Sequence, residues 1–445
     1  MGREEKTFLM NLLVYSQKTT ARIEYIFSTL LAAIGFHGVE FTNDKRLFAA
    51  SSLAKINYSI QRIADKEVWI KPVDLLFEEG TILQPIHCFN YFDSTCFYKV
   101  DSCDFPFDIF AASFFLITRY EEYLPHEKDM YGRFAHQNSI AFRQNFLQLP
   151  LVNIWLAELK KVITNQFPTV QLTQPGFRFI PTYDIDIAYS YLHKGFMRNA
   201  GGFLSKVLRG EWSLAMERIQ VLLRKKNDPF DCYDWLNELH KQHGLHPIYF
   251  FLLAQKNIGY DKNILPEKPA MLQLIKDHSL KYDVGIHTSW QSGDDEDILG
   301  KEINLLREMT GRNIDKNRQH YIRMTLPETY QKLIQQCISD DYSMGYGSIN
   351  GFRASYCLPY KWYDLSQEKT TSLTIHPFCY MDANSYYEQH FSPEQALAEM
   401  KHYHEIIKQV NGEFITIAHN HFLGTDKMFE GWKEAYKMVC FSLSG

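Results

Sequence analysis

From residue 177 onward the chain alternates short apolar runs with amphipathic stretches, and this alternation limits the fold more than any other feature. The apolar runs fall at 179–184, 247–253, 282–287, 320–324, 342–353 (broken by glycines), 373–378 and 414–419. Most are short enough to be buried strands. Stretches of helical period fit between and after them, at 231–243, 269–278, 294–309, 327–338, 393–410 and 427–439. Asp, Ser or Pro opens many of these, and Gly or His often closes them. Parallel strands need long crossovers, and a helix commonly supplies one. Seven such runs alternating with six helical stretches predict an α/β fold with a parallel sheet, open or closed into a distorted (β/α) barrel of about seven strands.

The pattern changes near residues 172–176, which predicts a smaller α/β domain over 1–174 ahead of the barrel-like domain over 175–445. In the first part, 7–15 is strand-like, and 21–33 is helical with Gly35 as its stop signal. Strands are expected at 39–42 and 55–58, and long apolar helices at 106–123 and 151–167. The charges of the polar stretch from Arg119 to Phe134 face either the second domain or only solvent, and solvent is the expectation. No linker rich in Pro, Gly or Ser separates the two parts, so they are expected to share a substantial interface.

Composition narrows the function. The net charge of −5 leaves no broad basic surface, so nucleic acid is not an expected partner. The eight cysteines form no CxxC pair, which argues against a zinc ribbon or a thioredoxin-type site and for reduced thiols in a cytoplasmic protein. No signal peptide is read at the N-terminus. The apolar runs at 26–36 and 109–117 are too short to span a bilayer. The 27 Tyr and 32 Phe suit core packing before they suit sugar stacking.

The chemistry gathers at predicted strand ends. Thr182-Tyr183-Asp184-Ile185-Asp186 closes the first run. Residues i and i+2 of an extended chain face one side, so Asp184 and Asp186 come together. Adjacent carboxylates repel and are costly to bury unpaired, so a cation, a base role or a strong donor explains them. A solvated loop with two caps is the plain alternative. His287 ends the third run and His320 starts the fourth. Arg353 follows the fifth, His376 sits on the sixth, and His419 and His421 end the seventh. In a barrel such ends converge on one mouth. Histidines and carboxylates meeting there have the composition of a catalytic metal site. A lone strand-end histidine is more often a hydrogen-bonding residue; the ordered set carries the inference.

That set resembles the polysaccharide deacetylase family, the NodB-like carbohydrate esterases, over roughly 177–439. The family has a distorted (β/α) barrel, a divalent metal and an acidic pair in a Thr-Phe-Asp-Asp motif. The resemblance implies that Asp184 is the catalytic base and Asp186 the metal-binding acid, although the intervening Ile185 leaves the reverse assignment open. It implies that His287 is the first histidine of the His-(Ser/Thr)-x-x-His metal motif. Arg353, in Gly351-Phe352-Arg353-Ala354-Ser355-Tyr356, matches the arginine that pairs with the base, and His419 matches the general acid. The chain departs from the pattern at Gln291, where the family has its second metal histidine. Either His320, His376 or His421 completes the site, with His320 first in line, or metal binding is weak or lost. The part before the barrel resembles a helper domain seen in some bacterial relatives.

The implied reaction is hydrolysis of an N-acetyl or O-acetyl group on a carbohydrate, with a divalent metal, zinc by ligand type, as cofactor. Trp290, Tyr356 and His421 are candidate sugar-binding residues. One rival is an inactive deacetylase-like barrel that binds glycan or assists surface-polysaccharide assembly. Others are a metallohydrolase acting outside glycans and a glycosidase. The last leaves the histidines unexplained, and its paired carboxylates would stand about 5–10 Å apart.

Overall fold

Two sheets organise the chain, and the computed structural model describes residues 10–443. The first sheet is parallel, in the order β2-β1-β3-β4: β1 is Asn11–Ser16, β2 Gly38–Thr42, β3 Ala54–Tyr58 and β4 Val68–Ile70. Residues 7–9 of the strand expected at 7–15 lie outside the described residues. Alternation along β1 sends Leu12 and Val14 into the main core, and Leu13 and Tyr15 to the other face beside Phe48. Helix Ala21–Ala33 starts where the Thr20 hydroxyl accepts the Ile23 N–H at 3.2 Å. The nine residues of helix Ile109–Ile117 are all buried, which fits a helix enclosed on every side. A small hairpin, β5 (Phe89–Tyr91) and β6 (Ser94–Cys96), completes this part.

The second sheet runs β12-β13-β11-β10-β9-β8-β7-β15-β14. Its strands are β7 (Arg178–Ile185), β8 (Ile248–Leu252), β9 (Asp283–Thr288), β10 (Lys316–Gln319), β11 (Asp340–Asp341), β12 (Tyr360–Asp364), β13 (Lys369–Ile375), β14 (Tyr380–Met381) and β15 (Glu413–His419). All pairings are parallel except β12 with β13. No strand pairing among the described residues joins β14 to the far edge, so the sheet is open as hydrogen-bonded. It is nevertheless strongly curled. Strands three places apart in a flat sheet stand about 14 Å from each other. Yet Arg318 on β10 hydrogen-bonds Asp184 on β7 at 2.8 Å, and the rings of Phe250 on β8 and Tyr342 beyond β11 lie 5.3 Å apart. Ile248, Phe250, Tyr342, Phe378, Ile415 and Ile417 share one apolar cluster on the concave side. Gly285 on β9 leaves room for it: a Cβ there would stand 2.6 Å from the Phe250 ring.

The two parts meet along a mixed apolar and ionic interface. Tyr25 packs on Tyr363 with ring centroids 4.8 Å apart, and Arg22 Nε donates to Glu368 Oε2 at 2.9 Å. The Phe352 N–H donates to the Leu147 carbonyl at 2.8 Å. The polar stretch expected in solvent is turned inward at its two ends, where Arg119, Glu121, Glu122 and Arg133 are buried, while Glu127 and Lys128 in its middle are exposed. Arg119 and Glu122 are buried, and the Arg119 and Arg353 Nε atoms both donate to Glu122 Oε1 at 2.8 Å. Burial is the largest influence on Glu122 and pushes its pKa up, but Arg353 and Arg119 outweigh it and hold the carboxyl at about 2. The charges read as solvated because their partner lies more than 200 residues away in sequence.

Candidate active site

β7 places Thr182 and Asp184 on the concave side, where Arg318 Nη1 donates to Thr182 Oγ1 at 2.7 Å and to Asp184 Oδ1 at 2.8 Å. Asp184 lies level with His419 on β15, and its Oδ2 is 3.7 Å from His287 Nε2. Asp186 sits one residue beyond the strand end, its side chain 18% exposed, the most open acid of the group.

Three imidazoles surround that carboxylate. His287 Nε2 is 3.1 Å from Asp186 Oδ1; His320 Nε2 and His419 Nε2 are 3.6 and 3.5 Å from Oδ2. Asp186 Oδ1 is buried and makes no well-aligned hydrogen bond despite the short approach of His287. The ligand atoms of Asp186, His287 and His320 all lie within 4.8 Å of one another. Each ring is fixed from behind. His287 Nδ1 faces the Arg318 carbonyl at 2.9 Å, so it carries the hydrogen and Nε2 points into the site. His320 Nδ1 is 3.0 Å from Asp261 Oδ1. His419 Nδ1 is 2.6 Å from Asp382 Oδ1, and the other Asp382 oxygen accepts the His419 N–H at 2.7 Å.

These contacts set the electrostatics. Burial opposes the charge on Asp186, but His320 and His287 hold its pKa well below the usual carboxylate range. Burial pulls His320 down, and Asp186 and Asp261 outweigh it to raise the ring to about 9. Burial likewise opposes the charge on His419; Asp382, Asp186 and Asp184 raise it to about 10. His320 occupies a tight turn in which Tyr321 and Ile322 are left-handed, at φ 58° and 53°. For a β-branched residue such as Ile322 this is strained, a state tolerated where the surroundings fix it. Arg133, from the first part of the chain, donates to the Tyr321 carbonyl at 2.6 Å and holds the turn.

The structure brings Asp184, Asp186, His287, His320 and His419 together and separates others from them. Arg353 is the main correction: it pairs with Glu122 at the interface, and Arg318 takes the position beside Asp184. Tyr356 is buried and lines a cavity of about 760 Å³ near Arg178 and Glu413, at the starts of β7 and β15, the opposite end of the sheet from the acids. His376 pairs with Asp340 at the start of β11. His421, by contrast, adjoins the site, its ring 5.4 Å from that of His419; it packs among Phe230, Phe422 and Phe429, and burial, with His419, lowers it to about 3. Trp290 does lie beside the site. Its ring contacts Tyr260 and Tyr321, and Tyr131 from the first part of the chain completes the group, 5.3 Å from Tyr321. Gln291 stands one layer behind His320: its Nε2 donates to Asp261 Oδ2 at 3.1 Å, the carboxylate that orients His320.

Sequence reading missed Arg318, Asp261 and Asp382. Arg318 falls just before the run assigned to the fourth strand. Asp382 follows a two-residue strand with no periodic signal, and Asp261 lies in a loop.

A family described as one of unknown function, DUF7033, matches residues 12–168. No curated protein matches the chain. Among solved structures, a protein from Mycobacterium smegmatis assigned as a polysaccharide deacetylase is 13% identical, with a TM-score of 0.38, over 62% of this chain and 87% of that one. A second so assigned, from Pseudomonas aeruginosa PAO1, is 11% identical, with a TM-score of 0.36, over 60% of this chain and 84% of that one. Likenesses this distant assign no activity.

Proposed function

We propose that the chain is a metal-dependent hydrolase that removes N-acetyl, or O-acetyl, groups from a sugar or polysaccharide precursor. In this reading residues 175–445 form a deacetylase-like barrel and residues 1–174 a helper domain. The observation that carries it is the convergence of Asp186, His287 and His320 beside Asp184 and His419. The donor set fits a divalent cation: a buried carboxylate oxygen without a hydrogen bond, and two ring nitrogens aimed inward by partners on their far sides. Nitrogen and oxygen ligands in this number favour zinc with an open position.

A bound zinc ion would polarise the acetyl carbonyl and acidify a water. Asp184 is placed to accept a proton from an attacking water. Arg318 occupies its Oδ1 and fixes the carboxylate, which leaves Oδ2 free on the histidine side. His419, oriented through Nδ1 by Asp382, presents Nε2 to the site and is placed to protonate the departing amine. One C–O bond forms, the C–N bond breaks, and acetate and a free amine result. Trp290 and its tyrosine neighbours offer ring faces on which a pyranose can stack. Gln291 favours this reading over the inactive one, because it supports Asp261, and through it His320, rather than marking a lost ligand.

The test is elemental analysis of the purified chain beside Asp186→Ala and His287→Ala, with acetate release from N-acetylglucosamine oligomers. About one zinc per chain, lost in both variants together with acetate release, is the expected result. A chain that takes up no metal on reconstitution sinks the proposal.

A further inference from the structure

Beyond Asp186 the chain leaves the rim of the site, builds a helical hairpin and returns. The helices are Phe196–Leu208 and Trp212–Leu222. Asp228 locks the base of the hairpin, accepting N–H groups from Ser190, Tyr191 and Leu192 at 2.7–2.9 Å. Phe230, two residues on, packs against His421, so the hairpin stands at the same end of the sheet as the acids and histidines.

The hairpin carries its apolar residues on the wrong side for a helix pair in water. A surface helix normally turns its apolar stripe to the core and its charges outward. Here the buried apolar cluster at its base is small, built on Tyr191, Leu192 and Val221. Phe196 is 83% exposed, Leu208 78% and Trp212 66%; Met197, Leu204 and Met216 are each more than half exposed. Leu204 with Leu208, and Trp212 with Met216, recur at the four-residue spacing that lines up one face of a helix. Large apolar side chains this exposed, gathered on one short hairpin, point to an interaction site. The charge around it is equally one-sided. Residues 194–226 contain eight Lys and Arg against two Glu, in a chain of net charge −5. Both glutamates are already paired, Glu211 with Lys206 and Glu217 with Lys226, while Arg198, Arg209, Arg224 and Lys225 are exposed.

We propose that this hairpin docks on an anionic phospholipid surface, its apolar stripe in the headgroup–acyl boundary and its cations on lipid phosphates. Charge complementarity selects this occupant. A second copy of the chain would bring two strongly positive hairpins face to face across a two-fold interface. The hairpin lies on the membrane and does not cross it. The helices have 13 and 11 residues, about 20 and 17 Å long, against a hydrocarbon core of about 30 Å. No helix among the described residues is long and apolar enough to span. Docking in this way would hold the site's rim close to the lipid surface, within reach of a substrate displayed there.

The experiment is flotation of the full chain with vesicles of phosphatidylcholine alone and of equal parts phosphatidylcholine and phosphatidylglycerol. Binding to the anionic vesicles, reduced by high salt, is expected. The variant Phe196→Ser/Leu208→Ser/Trp212→Ser should lose about tenfold or more of that binding, with its circular dichroism spectrum and metal content unchanged. Arg209→Glu/Lys225→Glu, which leaves the apolar stripe intact, should lose the preference for anionic vesicles. Absence of flotation, flotation undiminished in both variants, or a dimer in sedimentation equilibrium that the serine variant dissociates would each overturn the proposal. None of these readouts depends on acetate release, so the docking surface and the reaction fail or stand separately.

Discussion

At the scale of single residues, two arginines divide the role expected of one. Arg318 lies at the floor of the site and holds Asp184, whereas Arg353 joins the two parts of the chain through Glu122. Both are buried, but removing Arg318 takes the arginine away from the buried Asp184, a loss of about 3–5 kcal/mol, whereas removing Arg353 leaves Glu122 still paired with Arg119 and costs less. The variants should differ in activity. If Asp184 is the base as proposed, Arg318→Met lowers acetate release per folded molecule by about 100-fold or more, since that carboxylate loses its fixed orientation. Arg353→Met is expected to keep activity in the folded fraction and to show its cost only in the urea midpoint; equal activity losses in the two would contradict this division. Gln291→Ala tests the layer behind the ligands. It should weaken zinc affinity by about 10–100-fold, measured by competition with a chelator, because Asp261 would lose one of the donors that hold it for His320. Unchanged affinity would show that Asp261 needs no such support.

At the scale of elements, a second set of histidines behaves differently from those of the site. His240, on helix Tyr233–His243, meets the Tyr183 hydroxyl at 2.8 Å; His278, on helix Pro269–Ser279, faces the Leu274 carbonyl at 2.8 Å. Burial, the main cause, lowers them to about 3 and 4. The unfolded chain protonates such rings near pH 6.5 and the folded chain does not, so the unfolded state binds more protons below that pH. Stability is therefore full above about pH 6.5 and falls as the pH drops toward 4, by up to about 1.4 kcal/mol per pH unit for each ring. Urea midpoints taken between pH 7 and pH 5 should show the decline, and His278→Phe should flatten it. The same scale shows where periodicity misleads. The fourth run was expected as strand at 320–324, but β10 ends at Gln319 and His320 opens a tight turn. β11 has two residues, and the glycine-rich stretch after it is mostly irregular, with Gly345 lying where a Cβ would meet the Phe378 ring at 2.4 Å. Strands this short leave too few residues for a period of two to register.

At the scale of the molecule, the two parts share one apolar core, which includes Leu12 and Ile56 of the first sheet and Tyr249 and Ile286 of the second. The buried Arg119–Glu122–Arg353 cluster crosses the same interface. Unfolding is expected to be a single cooperative transition, with calorimetric and van't Hoff enthalpies in agreement; two resolved transitions would show that the parts fold independently. The sequence by itself determined the succession of strands and helices, because burial of one face leaves a period that can be read along the chain. It also brought Asp184 and Asp186 to one strand end, and pointed to His287, His320 and His419 as the residues to look for beside them. Only the tertiary structure decided which arginine meets Asp184, which acids orient His320 and His419, and that Arg119 and Glu122 face inward. Those pairings join residues from 37 to more than 200 positions apart, and no local pattern records a partner that the curl of the sheet supplies. The exposed stripe on the hairpin was hidden for the same reason: its apolar spacing reads as that of a buried helix, and only the fold shows that nothing in the described chain covers it.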